Sequence, residues 1–227
     1  MEQAIEPHGQ PERRAYTAGE EIFNAVSHGI GALFAAAILT AGVIKARSYG
    51  AYYVVGMAVY GASMLLVYTM STLYHALKQG AGKRVLRVFD HCMIFLLIAG
   101  TYTPICLGPL CGENGAWGWA LFASLWFLAL IGIALNAVAM NKKAVKVFSY
   151  SAYFVMGWSA LIAIVPILKA MPLAGFLWIL GGGLAYTFGI IFYAVGRKKK
   201  YMHSVWHLFV LAGSALQFVG IIAYVVA

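Results

Sequence analysis

The chain has 227 residues, of which 63% are hydrophobic and only 10% charged, with a formal net charge of +9 and a mean hydropathy of +0.82. A soluble domain carries about one-quarter charged residues, so this composition excludes a soluble globular protein and points to one polytopic membrane domain. The basic excess is no sign of a nucleic-acid partner, because it lies in short segments between apolar runs, where lysine and arginine set topology and meet anionic lipid.

Residues 1–19 are expected to form a short cytoplasmic tail, and residues 20–227 the membrane domain. The tail carries Glu2, Glu6, Glu12, Arg13 and Arg14 and has no apolar stretch of the kind a cleavable signal requires. Seven apolar runs follow, at approximately 22–44, 51–77, 88–108, 116–139, 145–168, 172–195 and 202–226. Each approaches the ~20 residues that cross ~30 Å of hydrocarbon. The expected fold is therefore all-α, a bundle of seven transmembrane helices. Only Lys169 to Pro172 separate the fifth run from the sixth, so a tight turn is expected there. No internal repeat is visible, which disfavours a transporter built from repeats.

Three cysteines, Cys92, Cys106 and Cys111, are too few and too scattered for a disulfide framework or a thiolate metal site. Free thiols are expected, although Cys106 and Cys111 flank one loop and could pair on an oxidising side.

Orientation follows from the basic residues. Thirteen lie on the N-terminal side: Arg13, Arg14, Lys78, Lys83, Arg84, Arg87, Lys142, Lys143, Lys146 and Arg197 to Lys200. The opposite side has three, Lys45, Arg47 and Lys169. The positive-inside rule places the N-terminus in the cytoplasm and the C-terminus outside.

With that topology, polar residues from three stretches reach one depth. The second span ends in Ser71-Thr72-Leu73-Tyr74-His75, the third begins with Arg87-Val88-Phe89-Asp90-His91, and the seventh begins near His203-Ser204-Val205-Trp206-His207. Positions i and i+4 share a helix face, so His203 and His207 can converge on one ion. With His75 they make three neutral nitrogen donors for Zn²⁺ and leave a fourth position open, the pattern of a catalytic rather than a closed structural zinc. Asp90, the only acidic residue inside an expected span, could take a proton from water or bind the metal. Ser71, one turn before His75, could orient water or a substrate carbonyl. Blander roles exist: Asp90 could pair with Arg87 at the membrane surface, and Ser71 could bond back to the carbonyl of Val67. His28 is expected to pack between helices through a hydrogen bond, with a contact to substrate or to a ligand as the alternative. His91 is rotated about 100° from Asp90 on a helix, so the two are not expected to face one site.

These pieces resemble the progestin and adipoQ receptor family, in particular its bacterial hemolysin III branch. The resemblance rests on Glu21-Ile22-Phe23-Asn24-Ala25-Val26-Ser27-His28, the Ser71–His75 and Phe89–His91 stretches, Gly100-Thr101-Tyr102-Thr103-Pro104 and the His203–His207 pair. It implies an adiponectin-receptor-like bundle with an inside N-terminus and a zinc site near the cytoplasmic face, formed by Ser71, His75, Asp90, His203 and His207. It also implies kinship with membrane hydrolases such as the alkaline ceramidases, a role in membrane-lipid and fatty-acid homeostasis, and residence in a bacterial inner membrane. The partner expected is a membrane lipid or fatty acyl chain. Three functions follow: a zinc-dependent lipid amide or ester hydrolase, or a sensor derived from one; a non-enzymatic membrane protein with structural zinc; and a pore-forming, cytolytic protein.

Overall fold

The computed structural model describes residues 15–226, and it is helical throughout. Residues 1–14 of the expected tail lie outside the described residues. Among the described residues, nine α-helices follow in order: α1 (Ala18–Ala46), α2 (Ala51–Ala76), α3 (Ala81–Ile105), α4 (Cys111–Ala139), α5 (Lys143–Gly157), α6 (Ser159–Ile162), α7 (Ile164–Ala170), α8 (Leu173–Val195) and α9 (Met202–Tyr224). Among the described residues, six helical stretches are long and apolar enough to cross a membrane: Ala18–Tyr49, Ala51–Ala76, Ala81–Glu113, Gly115–Ala139, Leu173–Val195 and Met202–Tyr224.

Apolar side chains cover the outer surface as well as filling the core, and a set of polar side chains is buried among the helices. Leu33, Val138 and Ile162 are exposed on its outer surface, while Asn24, His28, Ser71, His75, Lys83, His203 and His207 are buried. In lipid the solvent of the outer surface is itself apolar, so the helices gain most from close packing and internal polar contacts. Gly61 shows the closeness: a Cβ there would stand 2.6 Å from the Cα of Leu39, so α1 and α2 touch backbone to backbone. Gly50, with φ of 105°, makes the turn between them.

Two helix starts are joined by one carboxylate. Thr17 and Glu20 form a capping box at α1, with Thr17 N donating to Glu20 Oε2 at 2.9 Å and Glu20 N to Thr17 Oγ1 at 3.3 Å. Glu20 Oε1 also accepts from Tyr201 N, 2.7 Å away, just before α9. At the far end Lys45 Nζ donates to the carbonyl of Ile222 at 2.8 Å. The first and last long helices are thereby tied at both ends.

Two expected boundaries differ. The third apolar run continues without an open loop into a π-helical turn, Cys106–Leu110, and then into α4. Pro109 has no N–H to donate, and Gly108 leaves helical geometry with ψ of −105°. The fifth run, 145–168, is not one helix but is divided at Trp158 and Ala163. At the first break a side chain enters the ladder: Tyr102 Oη donates to the Gly157 carbonyl at 2.8 Å and accepts from Ala160 N at 2.9 Å. At the second, Pro166 removes the N–H that would bond to Ile162, and its ring clashes with that carbonyl. The three cysteines are free.

Candidate metal centre

His75 lies in the last turn of α2, and His203 and His207 lie in the first turns of α9. The helices bring these ends together, and one ring nitrogen of each of the three histidines lies within 4.8 Å of the other two. All three are buried, at 2%, 8% and 1% exposure respectively. No other group of three histidine, cysteine or acidic side chains is so arranged among the described residues.

For His75 and His207 the hydrogen bonds point to the nitrogen that carries the proton. Glu21 Oε2 is 2.6 Å from His75 Nδ1, and a carboxylate can only accept, so Nδ1 carries the proton. Asn24 Nδ2, 3.5 Å from the same nitrogen, is a donor facing a donor; its Oδ1 accepts instead from Ser204 Oγ at 2.7 Å. Ser27 Oγ donates to the Asn24 carbonyl at 3.1 Å, so its contact of 3.3 Å with His207 Nδ1 is made by the imidazole N–H. Both imidazoles therefore keep Nε2 as a bare lone pair. His75 Nε2 is buried and makes no hydrogen bond, and His207 Nε2 stands 3.2 Å from His203 Nε2. Two nitrogens bound tetrahedrally to one zinc are about 3.3 Å apart, given Zn–N distances of 2.0–2.1 Å. An orphaned lone pair and this separation fit a metal ion held by nitrogen donors.

Other groups surround the three. The Tyr16 ring, just before α1, stacks on His203 with centroids 5.0 Å apart and lies 5.8 Å from His75. His28 stacks on His207 at 3.6 Å and meets Tyr68 edge-on at 5.1 Å. The hydrogen bond expected of His28 is not made, since neither of its buried ring nitrogens has a partner. Ser71 is buried one turn before His75. Asp90 does not join the histidine group. Its Oδ2 is 3.7 Å from His91 Nδ1, whose proton goes to the Arg87 carbonyl at 2.9 Å. Among the described ion pairs Asp90 appears with His91 and not with Arg87.

A sequence profile described as "Haemolysin-III related" matches residues 16–218. The chain belongs to that family. It is 41% identical over 212 residues to "Hemolysin-3 homolog" of Bacillus subtilis (strain 168), covering 93% of this chain and 97% of that one. It is 41% identical over 207 residues to "Hemolysin-3" of Bacillus cereus, covering 91% and 92%. A more distant relative is "Monocyte to macrophage differentiation factor" of Homo sapiens, 25% identical over 219 residues, 92% and 85% of the two chains. The matched range of the family profile runs from Tyr16, which stacks on His203, to beyond the His203–His207 pair, so it encloses the whole histidine centre.

Sequence reasoning missed Glu21 and Lys83. Glu21 fell one residue outside the expected first span, and Lys83 was counted among the charges that set topology. In the structure α1 begins at Ala18 and α3 at Ala81, which brings both into the bundle. The spacing Glu21, Asn24, Ser27 and His28 on one helix face was the available signal.

Proposed function

We propose that this member of the haemolysin-III related family is a zinc-dependent membrane protein that hydrolyses an amide or ester bond of a lipid, or a sensor derived from such a hydrolase. The observation that carries this is the set of three buried imidazoles with one ring nitrogen each within 4.8 Å of the other two, that of His75 making no hydrogen bond. Three protein ligands leave one coordination position for water or substrate. Zinc, when bound, polarises a carbonyl and brings the pKa of a water to about 7.

His75, His203 and His207 hold the ion in this reading. Ser71, buried on the same face of α2, orients the water or the lipid carbonyl. Asp90 accepts the proton, an assignment reached by elimination among the acidic groups of the described residues. Both oxygens of Glu21 are engaged, by His75 and Lys83 at 2.6 Å each. Glu20 is held by Thr17 and Tyr201, and Glu113 lies at the opposite ends of α3 and α4. The broken stretch through α5, α6 and α7 is read as the seventh crossing, with the N-terminus and the metal centre on the cytoplasmic side of a bacterial inner membrane. A membrane lipid reaches such a site without leaving the bilayer.

The deep burial of the histidines and the Tyr16 ring over His203 favour a second reading, in which the ion only ties α2 to α9. The name of the Bacillus cereus relative suggests lysis, but a pore needs a polar lining along its length, and here the buried acidic, lysine and histidine side chains, Glu20, His28, His75, Lys83, His203 and His207, gather at one end. Purified, zinc-loaded protein should release fatty acid from an N-acylated lipid, and Asp90→Asn should abolish release while retaining zinc. No turnover across a broad panel of acylated lipids, with zinc bound, would leave the sensor or structural role.

A further inference from the structure

The first turn of α3 buries a lysine. Lys83 is 5% exposed. Its Nζ donates to Glu21 Oε1 at 2.6 Å and to the Leu77 carbonyl at 3.0 Å, and lies 5.0 Å from the centre of the Tyr74 ring. The other oxygen of Glu21 accepts from His75 Nδ1 at 2.6 Å. A lysine near the end of a membrane helix can ordinarily reach water with its long side chain, and burying a charge is costly unless it is paired. This one is paired inside the bundle, to a residue that itself bonds to a candidate ligand.

We infer that Lys83 and Glu21 form a positioning pair that fixes His75 as a metal ligand: Glu21 holds the ring with its proton on Nδ1, and Lys83 fixes which side of Glu21 faces the ring. Neither residue touches the ion. The inference rests on the proposed metal centre and adds α1 and α3, which supply no ligand in that proposal, to the structure that determines affinity. Partners of this kind orient ligating imidazoles and make them more basic, and removing one commonly costs 10–100-fold in metal affinity.

The orientation makes a prediction that general destabilisation does not. In Glu21→Gln the side chain has one oxygen and one amide NH₂. Lys83 is a donor only, so it draws the oxygen to itself and turns the NH₂ toward His75. Nδ1 must then accept, the imidazole proton moves to Nε2, and the nitrogen meant for the ion is blocked. Removing the lysine as well, in Glu21→Gln/Lys83→Met, frees the amide to rotate and present its oxygen to Nδ1. The double variant should then bind zinc more tightly than Glu21→Gln alone, although it lacks both charges.

The experiment is chelator competition for zinc on the detergent-purified full chain and its variants. Parent protein should bind one zinc. Glu21→Gln should bind it about 10–100-fold more weakly, and Glu21→Gln/Lys83→Met should recover part of that loss. If Glu21→Gln does not fold, Glu21→Asp replaces it: the charge remains, the carboxylate withdraws by one methylene, and affinity has to fall. Parental affinity in the tested Glu21 variant, with zinc lost in His75→Ala, overturns the pair and leaves the metal centre standing. A double variant that binds no better than Glu21→Gln overturns the orienting role of Lys83. Parent protein without zinc, or His75→Ala with undiminished zinc, overturns both the pair and the centre.

Discussion

His203 Nε2 and His207 Nε2 face each other across 3.2 Å, one turn apart on α9. With His207 Nε2 as the acceptor, His203 Nε2–H donates across that gap, and an ion bound there would replace the shared proton. His75 Nε2, buried and without a hydrogen bond, is available as the third donor.

The metal set is the first expectation. Elemental analysis of purified protein should find one zinc per chain. His75→Ala, His203→Ala and His207→Ala should each lose it, because two imidazoles make a poor chelate. His91→Ala should retain it, since that ring bonds to its own helix at the Arg87 carbonyl. His28→Ala should also retain it, because His28 meets His207 through its ring face rather than a nitrogen. The same ligand losses should lower thermal stability, as the ion joins helices distant in sequence and its binding is coupled to folding. Undiminished zinc in both His203→Ala and His207→Ala would end the proposal.

Tyr16 covers the centre through contacts at 5.0 Å and 5.8 Å with His203 and His75. Tyr16→Ala should keep zinc stoichiometric but release it faster to a chelator, since the ring supplies cover and no ligand. The release rate measured beside that of Tyr16→Phe separates cover from hydroxyl chemistry: Phe should behave like the parent. Equal rates in all three proteins would show that the ring does not gate access.

The break after α5 depends on one hydroxyl from another helix. Tyr102→Phe removes the partner of both the Gly157 carbonyl and the Ala160 N–H. Leaving a buried polar group unpaired costs about 1–3 kcal/mol, so a loss of that order is expected in reversible unfolding in detergent. The zinc content should not change, because this end of Tyr102 takes no part in the metal centre. An unaltered unfolding midpoint would mean that the two backbone groups find other partners.

Topology can be read with reporters. An enzyme active only outside the cytoplasm, fused after Ala227, should be active if the seven-span reading of the sequence, with thirteen basic residues on one side and three on the other, obeys the positive-inside rule. Activity of a cytoplasm-only reporter at the same point would reverse the bundle and carry the metal centre to the outer face.

The sequence by itself determined a helical membrane domain and which histidines meet. Both depend on local spacing: runs of about twenty apolar residues for the spans, and i,i+4 geometry for His203 and His207. His75 was legible as well, because the end of an apolar run gives depth without any knowledge of packing. Depth alone did not bring Asp90 into the histidine group, because residues at one level can face different neighbours around a helix. Tertiary structure alone decided the roles of Glu21 and Lys83. Along the chain Lys83 reads as one of the charges that set orientation and Glu21 as the first residue of a polar helix face, and Glu21 meets His75 and Lys83 only when α1, α2 and α3 pack. It also decided the division of the fifth run, whose apolar sequence shows Pro166 but not the Tyr102 hydroxyl that enters from α3. Hydropathy records what a segment is made of, whereas a hydrogen bond between helices depends on which neighbour the fold puts beside it.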